Sequence, residues 1–172
     1  ALGQLKQLRI LGLRDTKIFE LNPLSSLKKL EILDISNTAV SSIDALSSAQ
    51  SLKAIGLRST RVSDLSPLKN HTELEYIDAK SARLRDAKAL SGLEKLEALD
   101  LSQNQLKKIP VLSKALSELS LYGNPIEKEH CPQTPPILKE RCNGLKPSGS
   151  AFIQACSRPD GGLPFRDKVT IQ

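Results

Sequence analysis

At 172 residues, with 39% apolar and only 3% aromatic side chains, the chain is the size of one domain whose core is built from short aliphatic residues. The net charge of +6 is spread evenly, with 18 basic against 14 acidic residues through position 124 and 7 against 5 beyond it. No basic cluster is interleaved with aromatic rings, which speaks against a nucleic-acid face, and no apolar run approaches the roughly 20 residues of a membrane helix.

A leucine column runs through the sequence. Leu8, Leu30, Leu52, Leu74 and Leu96 follow one another at intervals of 22 residues, and Leu116 comes 20 later. Each copy continues with a second and third apolar position: Leu11/Leu13, Leu33/Ile35, Ile55/Leu57, Ile77/Ala79, Leu99/Leu101 and Leu119/Leu121. Three residues further on stand Thr16, Thr38, Thr60, Ala82, Asn104 and Asn124, followed by Ile18, Val40, Val62, Leu84, Leu106 and Ile126. The fullest copy is LEKLEALDLSQNQLKKIP, from Leu93 to Pro110.

This pattern resembles the leucine-rich-repeat family, whose signature is L-x-x-L-x-L-x-x-N/C-x-L. The 22-residue period, the turn threonines and the segments LNPLSSL and LSPLKNH are most similar to the repeats of bacterial internalins and of type-1 phosphatase regulatory subunits. The resemblance implies an α/β repeat fold: a right-handed solenoid of about six coils with a parallel sheet on its concave face. Residues 1–126 would be the repeats, 127–144 a cysteine-bearing C-terminal cap, and 145–172 an irregular tail. The chain has no methionine, and its first seven residues align with Pro23 to Lys29. The expectation is a piece of a longer protein that opens in mid-repeat.

In chain order, each LxxLxL segment is expected to form a short strand, and the other half of each coil to return along the convex side. Asn22-Pro23 and Ser66-Pro67 read as starts of short helical or 3₁₀ turns, with the Asn or Ser as cap. Leu24/Leu27, Leu46/Ala49, Leu68/His71 and Leu90/Leu93 then point inward. His71 is expected to be neutral, hydrogen-bonded or partly exposed in that apolar column. The turn Asn and Thr side chains should bond backbone groups, and Ala82, which cannot, should leave the fourth coil weaker. Ile109-Pro110 predicts an extended return in the fifth copy. The cap reads as Thr134-Pro135-Pro136 opening a helix that closes at Asn143-Gly144.

Cys131 and Cys142 flank that helix. A disulfide between them would staple the cap to the last coil, adding about 2 to 3 kcal/mol for so short a loop and implying an oxidising compartment. Free thiols or pairing through Cys156 are the alternatives. A zinc site from His130, Cys131, Cys142 and Cys156 fits no usual ligand spacing.

The outward strand positions form three columns. One is apolar to aromatic (Ile10, Ile32, Ala54, Tyr76, Ala98), one acidic (Asp34, Asp78, Asp100), and one holds Arg14, Arg58, Lys80 and Tyr122. Tyrosine and arginine are common anchors of protein interfaces. The face is therefore expected to bind a partner protein through Arg14, Asp34, Arg58, Tyr76, Asp78, Lys80, Asp100 and Tyr122; a solvated face with its charges paired among themselves is the plainer reading. Asp78 and Asp100, on neighbouring strands, also have the look of a carboxylate dyad, though Lys80 and Arg58 nearby would keep both ionised. No P-loop, GxSxG or HExxH motif occurs, and no catalytic residue, metal or cofactor is expected.

The expected function is a non-enzymatic protein-binding module of a larger bacterial secreted, periplasmic or surface protein, with no nucleic-acid partner and no membrane insertion. The alternatives are a cytoplasmic regulatory subunit docking an enzyme such as a phosphatase, and the recognition part of a larger enzyme or effector. The sequence leaves the oligomeric state open.

Overall fold

A computed structural model describes residues 2–126. Six strands of three residues each, β1 (Ile10–Gly12), β2 (Ile32–Asp34), β3 (Ala54–Gly56), β4 (Tyr76–Asp78), β5 (Ala98–Asp100) and β6 (Glu118–Ser120), pair in parallel in sequence order. The register follows the leucine columns, with Leu11 beside Leu33, then Ile55, Ile77, Leu99 and Leu119. Between coils the backbone ladder runs on past the strands, as where the Ile35 N–H donates to the Gly56 carbonyl at 2.9 Å and the Asn37 N–H to that of Arg58 at 2.8 Å.

What ends this ladder is a column of left-handed residues. Asp15, Asn37, Ser59, Ser81 and Gln103 all have φ between 53° and 58°, and Gly123 takes the sixth place at 73°. One such residue per coil turns the chain out of the sheet; for residues other than glycine it costs on the order of 1 kcal/mol.

The return half of each coil carries a 3₁₀ turn: Asn22–Leu24, Asp44–Leu46, Ser66–Leu68 and the longer Lys88–Gly92, with Leu2–Gln4 in the first coil. Proline stands inside the first and third of this set of four, at the place where its missing N–H costs nothing. The expected caps are different. Neither Asn22 nor Ser66 caps through its side chain, because each is already inside its turn. Acceptors two residues ahead do the work: Asp64 Oδ1 takes the Ser66 N–H at 2.8 Å, Asp86 Oδ1 the Lys88 N–H at 2.7 Å, and Ser42 Oγ the Asp44 N–H at 3.1 Å.

A single apolar core fills the space between the sheet and the returns. Leu24, Leu27, Leu46, Ala49, Leu68, Leu90 and Leu93 all point into it. His71 is fully buried among them, its Nε2 3.0 Å from the Leu46 carbonyl oxygen and its Nδ1 without a partner. Burial holds its pKa below the usual histidine value, so the ring is neutral, as expected.

The turn column divides by residue type. Thr16, Thr38 and Thr60 each donate to a carbonyl of their own coil, those of Leu13, Ile35 and Leu57. The asparagines also reach the preceding coil. Asn104 donates to Ala79 O and accepts from the Leu84 N–H, and Asn124 donates to Leu101 O and accepts from the Leu106 N–H. The weakness expected at Ala82 is therefore offset, since Asn104 supplies the Ala79 carbonyl with the donor that Ala82 lacks. The cap and the tail, with Cys131, Cys142, Cys156 and His130, lie outside the described residues.

Candidate functional site

The open face of the sheet follows from the strand alternation: the fourth and sixth members of each LxxLxL enter the core, and the third and fifth stand on the other side. The three predicted columns are all there, but they are unequally exposed.

The acidic column is almost closed to solvent. Asp34, Asp78 and Asp100 are only 3%, 5% and 4% exposed. Each carboxylate bends back onto the backbone two residues on, with Oδ1 accepting the N–H of Ser36 at 2.9 Å, Lys80 at 3.2 Å and Ser102 at 2.8 Å. The Ser102 hydroxyl adds a further bond to Asp100. Gly56 makes room for Asp34, because a Cβ at that position would sit 2.6 Å from Asp34 Oδ1.

Arg58 lies across the next two acids. Its Nε and Nη2 donate to Asp78 Oδ2 at 2.9 and 2.8 Å, and Nη2 is 4.0 Å from Asp100 Oδ2. Burial pushes the Asp78 carboxyl up from its ordinary pKa while Arg58 pulls it down, and burial is the larger influence. A cation between the two carboxylates is the opposite of a dyad that shares a proton. Arg14, 3.9 Å from Asp34 and 3.3 Å from Asp15, keeps an exposed head. Lys80 sits 5.0 Å above the Tyr122 ring, a cation–π distance.

The apolar column is the uncovered one. Ile10 is 49% exposed, Ile32, Ala54 and Tyr76 are half-buried, and Ala98 is buried. The Tyr76 hydroxyl donates to Glu97 Oε2 at 3.3 Å. Burial, then the negative charge of Glu97, Glu75 and Glu118, raises its pKa. Along the same rim Arg9 forms a paired bond to Glu31 at 2.6 and 2.9 Å, and Lys53 approaches Glu31 at 3.7 Å.

Of the eight residues expected to act together, the structure thus joins Arg58, Asp78 and Asp100 in one network, Arg14 with Asp34, and Lys80 with Tyr122. Tyr76 belongs instead with Glu97. Sequence reasoning missed Glu97, Gly56, Ser36 and Ser102. The signal for the serines was present, since Asp34-Ile35-Ser36 and Asp100-Leu101-Ser102 repeat an Asp two residues before a Ser, the spacing of a side-chain-to-backbone turn.

Comparison with solved structures finds the same fold. An internalin from Listeria monocytogenes superposes with a TM-score of 0.73 at 27% identity over 75% of this chain. The chain has the leucine-rich-repeat fold. It spans 38% of that internalin's length. A leucine-rich-repeat protein from Leptospira interrogans (TM-score 0.70, 22% identity, 90% of this chain and 38% of the other) and internalin C2 from Listeria monocytogenes (0.62, 23%, 74% and 67%) share the fold. No protein-family model matches the chain, and no curated protein matches it. Among the described residues no helix is long and apolar enough to cross a membrane.

Proposed function

We propose that this repeat domain is a non-enzymatic recognition module that holds a partner protein on the open, concave face of its sheet, as part of a larger bacterial secreted, periplasmic or surface protein. The observation that carries the reading is the contrast between columns. The acids are buried and already bonded, whereas the stripe from Ile10 through Ile32 and Ala54 to Tyr76 keeps apolar surface open beside Arg14, Lys80 and Tyr122.

Such a face suits recognition for two reasons. Its charged groups are held by neighbours before a partner arrives, so little side-chain freedom is lost on binding. Its uncovered residues are the aliphatic and aromatic types that contribute affinity when desolvated. The bacterial neighbours of the same fold support the bacterial setting. A Cys131–Cys142 bridge in the cap would fit an oxidising compartment.

The test uses positions that reach solvent. Arg58 is unsuitable for substitution, since its loss strands Asp78 and Asp100 as buried carboxylates without their cation. Arg14→Ala, Tyr76→Ala and Lys80→Ala combined should lower partner affinity at least a hundredfold with an unchanged circular dichroism spectrum. The convex-side set Ser47→Ala, Lys69→Ala and Ser91→Ala should leave it within twofold. Equal affinity for both sets would place the interface elsewhere.

A further inference from the structure

Arg61 and Arg83 hold the same position on the third and fourth coils, just past the left-handed residues Ser59 and Ser81. Their backbones are fixed by equivalent bonds, the Arg61 N–H to Val40 O at 2.8 Å and the Arg83 N–H to Val62 O at 2.9 Å. Coils paired this way stand about 5 Å apart, so two guanidinium groups emerge side by side. Both side chains are exposed.

Six cations of the repeats are matched. Arg9, Arg14, Lys53, Arg58, Lys88 and Lys95 each have a carboxylate within ion-pair reach. Arg61 and Arg83 have none among the described residues. The carboxylates that follow them in the chain are engaged elsewhere, Asp64 with the Ser66 N–H and Asp86 with Lys88. An open groove of about 570 Å³ lies between the two arginines, lined also by Asn37, Ser59, Thr60 and Ser81. The Ser59 hydroxyl makes no hydrogen bond to any described residue, while that of Thr60 is taken up by the Leu57 carbonyl.

We propose that this groove is an oxyanion site, built for a tetrahedral oxyanion such as a phosphoryl or sulfuryl group. Two adjacent like charges repel across a coil spacing, and an anion between them converts that repulsion into attraction. Guanidinium forks present paired donors to tetrahedral oxygens, and the Ser59 hydroxyl adds a neutral donor at the same rim. The site lies around the edge of the sheet from the concave face, so it stands or falls independently of partner binding there.

Isothermal titration of the full chain with inorganic phosphate at pH 8, and separately with inorganic sulfate, tests the proposal at low ionic strength. One saturable site below about 1 mM is expected. Arg61→Gln with Arg83→Gln should weaken it at least tenfold, whereas Lys107→Gln with Lys108→Gln, the same loss of charge at another exposed basic pair, should change it less than twofold. Amide shifts in NMR should concentrate at Ser59, Arg61, Ser81 and Arg83. Absence of saturable binding by the unmodified chain at 10 mM would overturn the proposal, and so would an equal loss in the two double variants, which would mark a net-charge effect. Circular dichroism and the melting temperature of each variant separate lost binding from lost folding.

Discussion

The first three coils and the last two solve the same problem differently at one position. Thr16, Thr38 and Thr60 close their own turn with a single hydroxyl donor, so each coil satisfies itself. Asn104 and Asn124, with both a donor and an acceptor, satisfy their own turn and reach back to a carbonyl and an N–H of the coil before. In a solenoid, where each coil touches only its neighbours, such bonds add directly to the coupling between coils. At this turn position the amino-terminal coils are coupled by packing and the backbone ladder, and the carboxy-terminal coils also by buried side-chain stitches. Ala82 falls between the two regimes and borrows its stitch from Asn104.

Breaking a stitch should cost most. Asn104→Ala leaves the Leu84 N–H and the Ala79 carbonyl buried without that partner, and about 3 kcal/mol of stability should disappear in urea unfolding. Thr60→Val removes one hydroxyl bond within a single coil and should cost about 1 kcal/mol by the same measurement. If the two substitutions cost the same, the distinction between the halves fails. Extending the stitch should help instead. Ala82→Asn would place an acceptor against the Val62 N–H, as Asn104 does for Leu84, and should add about 1 kcal/mol, provided the neighbouring leucines need not move.

The smallest effect concerns pH and the packing of the middle coils. His71 has its pKa lowered by burial, so the unfolded chain binds a proton more readily than the folded one. Stability should therefore fall as pH drops below about 6.5, the ordinary histidine value, toward the lower folded one. His71→Leu, which matches Leu27 and Leu93 in the same column, should flatten the melting temperature between pH 7 and pH 5. A wild-type slope that survives in His71→Leu would assign the acid sensitivity to other groups.

Much of this architecture was legible in the sequence because one structural period equals one sequence period. Every strand falls where LxxLxL placed it, and the three outward columns are the observed ones. The inward histidine and the prolines of the 3₁₀ turns were legible for the same reason. What the columns could not convey is how a side chain is used once it faces outward. Asp34 is buried because Gly56, one coil away, leaves it room and Ser36 offers it an N–H. Neither condition is visible in a pattern of polar and apolar letters. The left-handed column was hidden because Asp15, Asn37, Ser59, Ser81 and Gln103 share no chemistry beyond polarity, and only Gly123 hints at the backbone requirement. The compensation of Ala82 by Asn104 depends on a contact between coils 22 residues apart at equivalent positions.

The central claim, that the uncovered apolar stripe is where a partner protein sits, is tested most directly by site-specific photocrosslinking. A photoreactive phenylalanine analogue replaces Tyr76 in one variant and the convex-side Lys69 in another, each in the full-length protein in its own cells. The account predicts one discrete adduct from position 76 that excess unmodified protein competes away, and none from position 69. The same adduct at both positions, or at position 69 alone, would contradict it.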